Sequence, residues 1–334
     1  MPCQELRSLR TAYGETLVRL MEQDERIVVL DADLCRSTMT VLVEQRFPSR
    51  FIEMGIAEQN MMATAVGLAL EGKIPFVNSF AVFTCGRAYD QIRLGIALAK
   101  LGVTIVGSSA GLSDFGDGAT HQSVEDVSLM ASLPNMSIIS PSDALDVEQA
   151  LPLIVAYRQP VYLRLTRSDL PIIHKNLPPL DLKGVRRMRD GRDVSIFATG
   201  SMVIKALDAA EELQAGGVSA RVVEITTLKP VATDAIIAET RGIRGVVTAE
   251  EHSIIGGLGA VISSALRRSS LPIECVGIKD RFGASADSHA ELMEHFGLTS
   301  DAIVQAANSV LRPCLVVPQE VSTNNRTASP TPSI

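Results

Sequence analysis

The stretch from Phe51 to Leu70, FIEMGIAEQNMMATAVGLAL, constrains this chain more than any other. From Ala57 onward the side chains are small or apolar on every face, with Met61, Met62, Ala63, Ala65, Val66, Leu68, Ala69 and Leu70 in one run. A helix that is apolar all round is a buried helix. Phe51 to Met54 reads as the strand or turn that feeds it, and Gly55 lets the backbone bend between them. One carboxylate, Glu58, then falls in the first helical turn, with only Gln59 and Asn60 as polar neighbours. Two effects oppose each other there. The helix N-terminus favours the ionised carboxylate by about 0.3–1 kcal/mol, and burial favours the neutral acid. Deep burial would make Glu58 an acid able to share its proton with a ligand nitrogen. The plainer alternative is a helix-start carboxylate in contact with water.

Around this stretch, short apolar runs alternate with helical patterns. Residues 4–23 place Leu6, Leu9, Tyr13, Leu17 and Leu20 at helical spacing. Ile27 to Asp31, Ile74 to Asn78, Val103 to Ser108 and Val161 to Leu165 have the length and branching of buried strands. Tyr89 to Lys100 reads as helix, and Ser142 is a plausible N-cap for a helix through Val155. Asp31 and Asp33 close a strand where ligands collect in such sheets; capping or a subunit contact is the reading favoured over a metal. Residues 171–192 hold Pro171, Pro178, Pro179 and a basic run without periodicity, and read as a connector. Strands at Asp193–Ala198, Ala220–Ile225, Gly245–Ala249 and Ile273–Ile278 then alternate with helices at Ser201–Ala215, Thr233–Glu239 and Leu258–Arg267. The expected fold is α/β, two doubly wound domains at 1–170 and 193–312. Residues 313–334, rich in Pro, Ser, Thr and Asn, read as a disordered tail.

Composition excludes several classes. A net charge of -7 leaves no electrostatic footprint for nucleic acid. No apolar run is long enough for a membrane span, and the N-terminus lacks the apolar core of a signal peptide. The five cysteines are scattered and form no CxxC pair, so neither zinc nor a disulfide framework is indicated. A cytoplasmic, reduced protein is the default.

Three further groups of residues carry possible chemistry. Phe80 and Phe83, in SFAVF, follow a strand and offer an aromatic wall for a flat ring; plain core packing is the alternative. Asp117 and His121, in FGDGATHQS, put a carboxylate near an imidazole, a pair able to steer protons on a ligand's hydroxyls; a surface or hydrogen-bonding His is the alternative. Arg10, Ser37 and Arg167 are polar groups at element ends, and arginine recognises phosphate through two parallel donors; ordinary surface ion pairs are the alternative.

MGIAEQNM, SFAVF, GLSDFGDGATHQSVEDVSLMASLPNM and LRLTRSDLP occur in this order. Together they are similar to the thiamine-diphosphate pyrimidine-binding domain of transketolases, and the second half resembles the transketolase C-terminal domain. The resemblance spans about residues 5–312. It implies that Glu58 bonds N1′ of the cofactor's aminopyrimidine, that Phe80 and Phe83 line the ring, and that Phe83 is the better stacking candidate. It implies that Asp117 and His121 meet the sugar's hydroxyls, and that Arg10, Ser37 and Arg167 hold its phosphate. Three positions depart from the family. Gly86 stands where a Tyr is common, Arg36 replaces a small residue or Pro, and Ser108, Ser109 and Ala110 occupy a loop where a His is usual.

The family's metal- and diphosphate-binding motif, GDG followed by paired asparagines, has no counterpart here. The GDG of Gly116–Gly118 runs into ATHQ, part of the substrate loop. The resemblance therefore implies the C-terminal subunit of a split transketolase. That subunit would use thiamine diphosphate and Mg²⁺ or Ca²⁺ held by an N-terminal partner subunit, in an α2β2 assembly. It would transfer a two-carbon ketol unit from a ketose donor, expected to be a phosphate, to an aldose. The β subunit of a 2-oxoacid dehydrogenase E1 component and a non-catalytic homologue remain as alternatives.

Overall fold

The computed structural model describes residues 5–175, 179–181 and 183–312; the tail read from 313–334 lies outside them. Its first half is built on a seven-stranded sheet. Strands Ser137–Ile139, Val161–Arg164, Thr104–Ser108, Ile74–Phe80, Ile27–Asp31 and Phe51–Glu53 lie side by side in that order, all parallel. The runs IVVLD and IPFVNSF are buried at every position, as a parallel sheet covered on both faces requires.

Alternation along Ile27–Asp31 sends its side chains to two cores. Ile27 and Val29 pack with Leu9, Tyr13 and Leu17 of the helix Leu9–Gln23, and with Val147 and Leu151 of the helix Ala144–Tyr157. Val28 and Leu30 pack with Met61, Met62 and Ala65 of the helix Glu58–Leu70, and with Ile92 and Ile96. Each such side chain contributes about 1.5–3 kcal/mol of burial, so the two layers hold the sheet from both sides.

The second half carries a five-stranded sheet. Ile273–Ile278, Gly245–Ser253, Val194–Ala198 and Ala220–Ile225 run parallel, and Val185–Arg189 closes the edge antiparallel. This corrects the expected connector. Its basic run is an edge strand, with Arg186 and Arg187 partnered by acids rather than left in a loop. A second strand also crosses between halves: Thr227–Lys229 pairs antiparallel with Ser137–Ile139 and becomes the outer strand of the first sheet. Both sheets are thus mixed rather than purely parallel. Helices His289–His295 and Ser300–Leu311 complete the second half.

Two local expectations change. Asp143, not Ser142, caps the helix Ala144–Tyr157, its carboxylate accepting from Asp146 N. The helix Glu58–Leu70 is not buried all round. Glu58, Met61, Met62 and Ala65 are buried, while Gln59, Asn60, Ala63, Gly67 and Leu70 face outward. Leu70 is 69% exposed, and Ile56, Leu94 and Leu98 are exposed as well. Among the described residues, nothing covers these apolar side chains.

Between the halves lies a buried ion cluster. His174 Nδ1 is 2.9 Å from Asp143, and its Nε2 is 2.9 Å from Glu224. Arg186 pairs with Asp146 and, at 2.8 Å, with Glu224. Asp143, Asp146 and His174 lie close enough to hold a metal. Here, however, Arg186 and His174 already set cations among the carboxylates.

Candidate active site

The sequence-derived residues cluster because a parallel sheet gathers its loops at the carboxyl ends of its strands. Glu58 follows Phe51–Glu53, Phe80 and Phe83 follow Ile74–Phe80, the Ser109–His121 loop follows Thr104–Ser108, and Arg167 follows Val161–Arg164. Gly55, at φ 65°, makes the left-handed bend that aims the next helix inward.

Glu58 is 2% exposed, and its Oε2 has no hydrogen-bond partner among the described residues. The nearest paired cation is Arg87, whose Nη1 lies 3.8 Å from that oxygen. An orphaned buried carboxylate oxygen is uncommon and asks for a partner. Beside it stands an aromatic wall. The rings of Phe80 and Phe83 are nearly parallel, 6.1 Å apart at 15°. His121 meets Phe83 edge-on at 5.3 Å and Phe80 at 6.2 Å. Arg87 lies 5.6 Å over the Phe83 ring. Phe83 to Arg87 form a wide π-type turn, a form common at functional sites. Phe80 is buried at 3% exposure and Phe83 is half-buried, so Phe83 is the ring with a free surface. Tyr89 does not reach this wall; its hydroxyl bonds Ser132 at 2.7 Å.

A second cluster lies along the same edge. Arg10 donates to the carbonyl of Ser37 at 2.6 Å, so Ser37 contributes its backbone oxygen. Arg10 makes no ion pair among the described residues, and its Nε has no partner. Burial, then the nearby charge of Arg167, pushes the Arg10 guanidinium below its ordinary value. Arg167 pairs with Asp114 at 3.2 Å, and its backbone N–H bonds the Ser113 hydroxyl at 3.0 Å. Burial raises the Asp114 carboxyl, Arg167 opposes this, and the charges of Asp117 and His121 reach it too. The loop Ser109–His121 thus contributes to both clusters, Asp114 to the second and His121 to the aromatic wall.

Asp117 is exposed, on the turn before Gly118–Thr120. His121 Nδ1 bonds the Thr120 hydroxyl at 2.9 Å. Asp31 proves structural. It accepts from the Thr38 and Thr40 hydroxyls, each at 2.8 Å, and from Leu34 N at 2.7 Å; burial pushes its carboxyl up to about 6. Reading the sequence missed Arg87 and Asp114. For Asp114 a signal existed in the first acid of SDFGD; for Arg87 none did, since its place depends on the π-type turn.

Residues 6–172 match the transketolase pyrimidine-binding domain, and residues 183–303 the transketolase C-terminal domain. The chain belongs to the transketolase family. Its relatives are transferases. It is 41% identical over 303 residues to a 6-deoxy-6-sulfo-D-fructose transketolase subunit of Clostridium sp., covering 90% of this chain and 94% of that one. It is 33% identical to one of the apulose-4-phosphate transketolase chains of Phocaeicola vulgatus, covering 89% and 96%. A solved split-gene transketolase, described as an inactive beta4 tetramer, superposes with a TM-score of 0.82 at 41% identity, covering 91% and 98%. Against the mouse transketolase, the chain spans 49% of the relative's length. No helix among the described residues is long and apolar enough to cross a membrane.

Proposed function

We propose that this transketolase-family chain is the C-terminal subunit of a split, thiamine-diphosphate-dependent transketolase. It moves a two-carbon ketol unit from an anionic ketose to an aldose. The observation that carries the reading is Glu58: a buried carboxylate oxygen without a partner, beside half-buried Phe83. These residues fit an aminopyrimidine: Glu58 would hold the ring nitrogen and Phe83 would pack against the ring. When bound, the cofactor supplies the carbanion chemistry of the family. The chain's own part is to place the ring, share a proton at Glu58 Oε2, and keep water from that oxygen.

His121, edge-on to the wall, and Asp117, exposed on the same loop, suit the sugar's hydroxyls. Arg10 and Arg167 suit an anionic terminus, because Arg10 is a half-buried cation with neither a counter-ion among the described residues nor a partner for its Nε. Relatives that act on a sulfo-sugar and on a sugar phosphate agree with an anion there. The diphosphate and its Mg²⁺ or Ca²⁺ would be held by an N-terminal partner subunit, and the uncovered apolar face from Ile56 to Leu98 suits the large contacts of an α2β2 assembly.

Reconstitution with that partner, thiamine diphosphate and Mg²⁺ tests the reading. Ketol transfer by the wild type and its loss in Glu58→Gln is the expected result. Normal turnover by the Glu58→Gln complex, or 2-oxoacid decarboxylation in place of ketol transfer, would overturn it.

A further inference from the structure

The second domain reaches the substrate loops through one carboxylate. Glu251, on the strand Gly245–Ser253, is 3% exposed. Its Oε1 accepts from Leu112 N at 2.7 Å and from His289 Nε2 at 2.9 Å, while the Ser201 hydroxyl donates to Oε2. The other ring nitrogen of His289 meets the Ser168 hydroxyl at 2.8 Å. Leu112 lies two residues before Asp114, and Ser168 directly follows Arg167. Since Arg167 pairs with Asp114 and with the Ser113 hydroxyl, the bonds close into a ring that passes through both loops and returns to Glu251.

Other contacts repeat the pattern. Gln122 Nε2 donates to the Ala284 carbonyl at 2.9 Å, and Ser253 N donates to Val124 O at 2.8 Å. Gly111, at φ 68°, passes so close that a Cβ there would lie 2.5 Å from Glu251 Oε1. An apolar pair would close a domain boundary at least as well as this buried charge pair. What a carboxylate with fixed partners adds is direction. Burial pushes the Glu251 carboxyl up, but the charge and hydrogen bond of His289 prevail and hold it below its ordinary value.

We propose that Glu251 and His289 are positioning residues, through which the second domain holds Arg167, paired with Asp114, in register beside Arg10 as an anion pocket. The inference rests on the reading of Arg10 and Arg167 as the binders of an anionic substrate terminus. Without the His289–Ser168 bond, the Arg167 turn loses its hold on the second domain and the guanidinium drifts from the position the anion needs.

The test uses the full chain, with inorganic phosphate as probe, and the reconstituted complex with an anionic ketose donor. In His289→Ala and in Ser168→Ala, phosphate affinity falls about tenfold, as small misplacement of binding groups does. KM for the donor rises in parallel and kcat changes much less. The double variant is no worse than His289→Ala alone, because that change already removes the bond that Ser168→Ala removes. His289→Asn, which keeps a donor toward Ser168, recovers part of the loss. Ser168→Ala removes one hydroxyl, and it carries the test if His289→Ala fails to fold. Unchanged phosphate affinity, additive losses, or a fall in kcat matching the rise in KM would overturn the proposal. So would a wild-type chain that binds no phosphate. If the wild-type complex transfers no ketol unit, the functional reading fails, and the phosphate titrations still decide the positioning role.

Discussion

Arg87 Nη1 lies 3.8 Å from Glu58 Oε2, a buried oxygen that accepts no hydrogen bond from the described residues. The guanidinium is largely exposed and also covers the Phe83 ring. Charge is thus supplied to the carboxylate at a distance, while its hydrogen-bonding position stays free for a ligand donor.

Glu58→Gln removes the proton shared with the ligand but loses no hydrogen bond within the chain. Its exposed partner Arg87 adds little to stability. In the reconstituted complex kcat should fall by about 10²–10⁴. The unfolding free energy of the isolated subunit, read by urea titration, should stay within about 0.5 kcal/mol of wild type, and size-exclusion chromatography should show the same assembly. A loss of stability comparable to the loss of activity would mean that Glu58 is structural.

Arg10 is half-buried and makes no ion pair among the described residues, and its Nε has no partner among them. Arg10→Ala should raise KM for an anionic donor by roughly 10–100-fold, the value of a charged hydrogen bond of about 1.5–3 kcal/mol. A neutral sugar of the same length should be affected far less. The same Arg10→Ala change should reduce the salt dependence of KM. Equal effects on both sugars would remove the anion from the reading.

His174 sets a pH dependence of folding. Burial pulls its pKa down, but Asp143 and Glu224 prevail and push it up to about 9. The protonated imidazole is therefore favoured by the folded state. Its contribution is fully present below the unfolded value near 6.5 and disappears as pH rises through about 9. The shift corresponds to about 3 kcal/mol. Urea unfolding at pH 6, 7.5 and 9.5 should show stability falling across that window, and His174→Gln should flatten the curve. A flat wild-type profile would assign the cluster a neutral imidazole.

Leu98 is 70% exposed on the uncovered apolar face. Leu98→Asp should leave the isolated subunit's stability within about 0.5 kcal/mol, as surface changes generally do. It should weaken association with the N-terminal subunit, read by sedimentation of the mixed chains. Unimpaired association would place the partner elsewhere.

Much of the fold was legible because parallel strands are short branched runs, and IVVLD, IPFVNSF and VSIFA need no partner to be recognised. Glu58, Phe83, Asp117, His121 and Arg167 were legible as residues in motifs, since chemistry of that kind needs particular side chains at particular separations. Val185–Arg189 was not. Its strand depends on pairing with Ala220–Ile225 and on acids at Glu224 and Glu239 that neutralise its arginines, and a basic run has no such partners when read alone. The open face of the helix Glu58–Leu70 was misjudged for a related reason: apolar residues mark a surface to be covered but do not say whether this chain or another covers it.

What the sequence determined by itself was the local order of strands, helices and loops, and with it the loops that carry chemistry. Tertiary structure decided which groups meet. It brought Arg87 to Glu58 through a π-type turn, and it led Thr227–Lys229 across to the first sheet. It also joined Leu112 and Ser168 to one buried carboxylate on the second domain. These contacts join residues tens of positions or more apart in the chain. They form because burying polar groups is tolerable only where geometry supplies partners, and that geometry exists only once both sheets are packed.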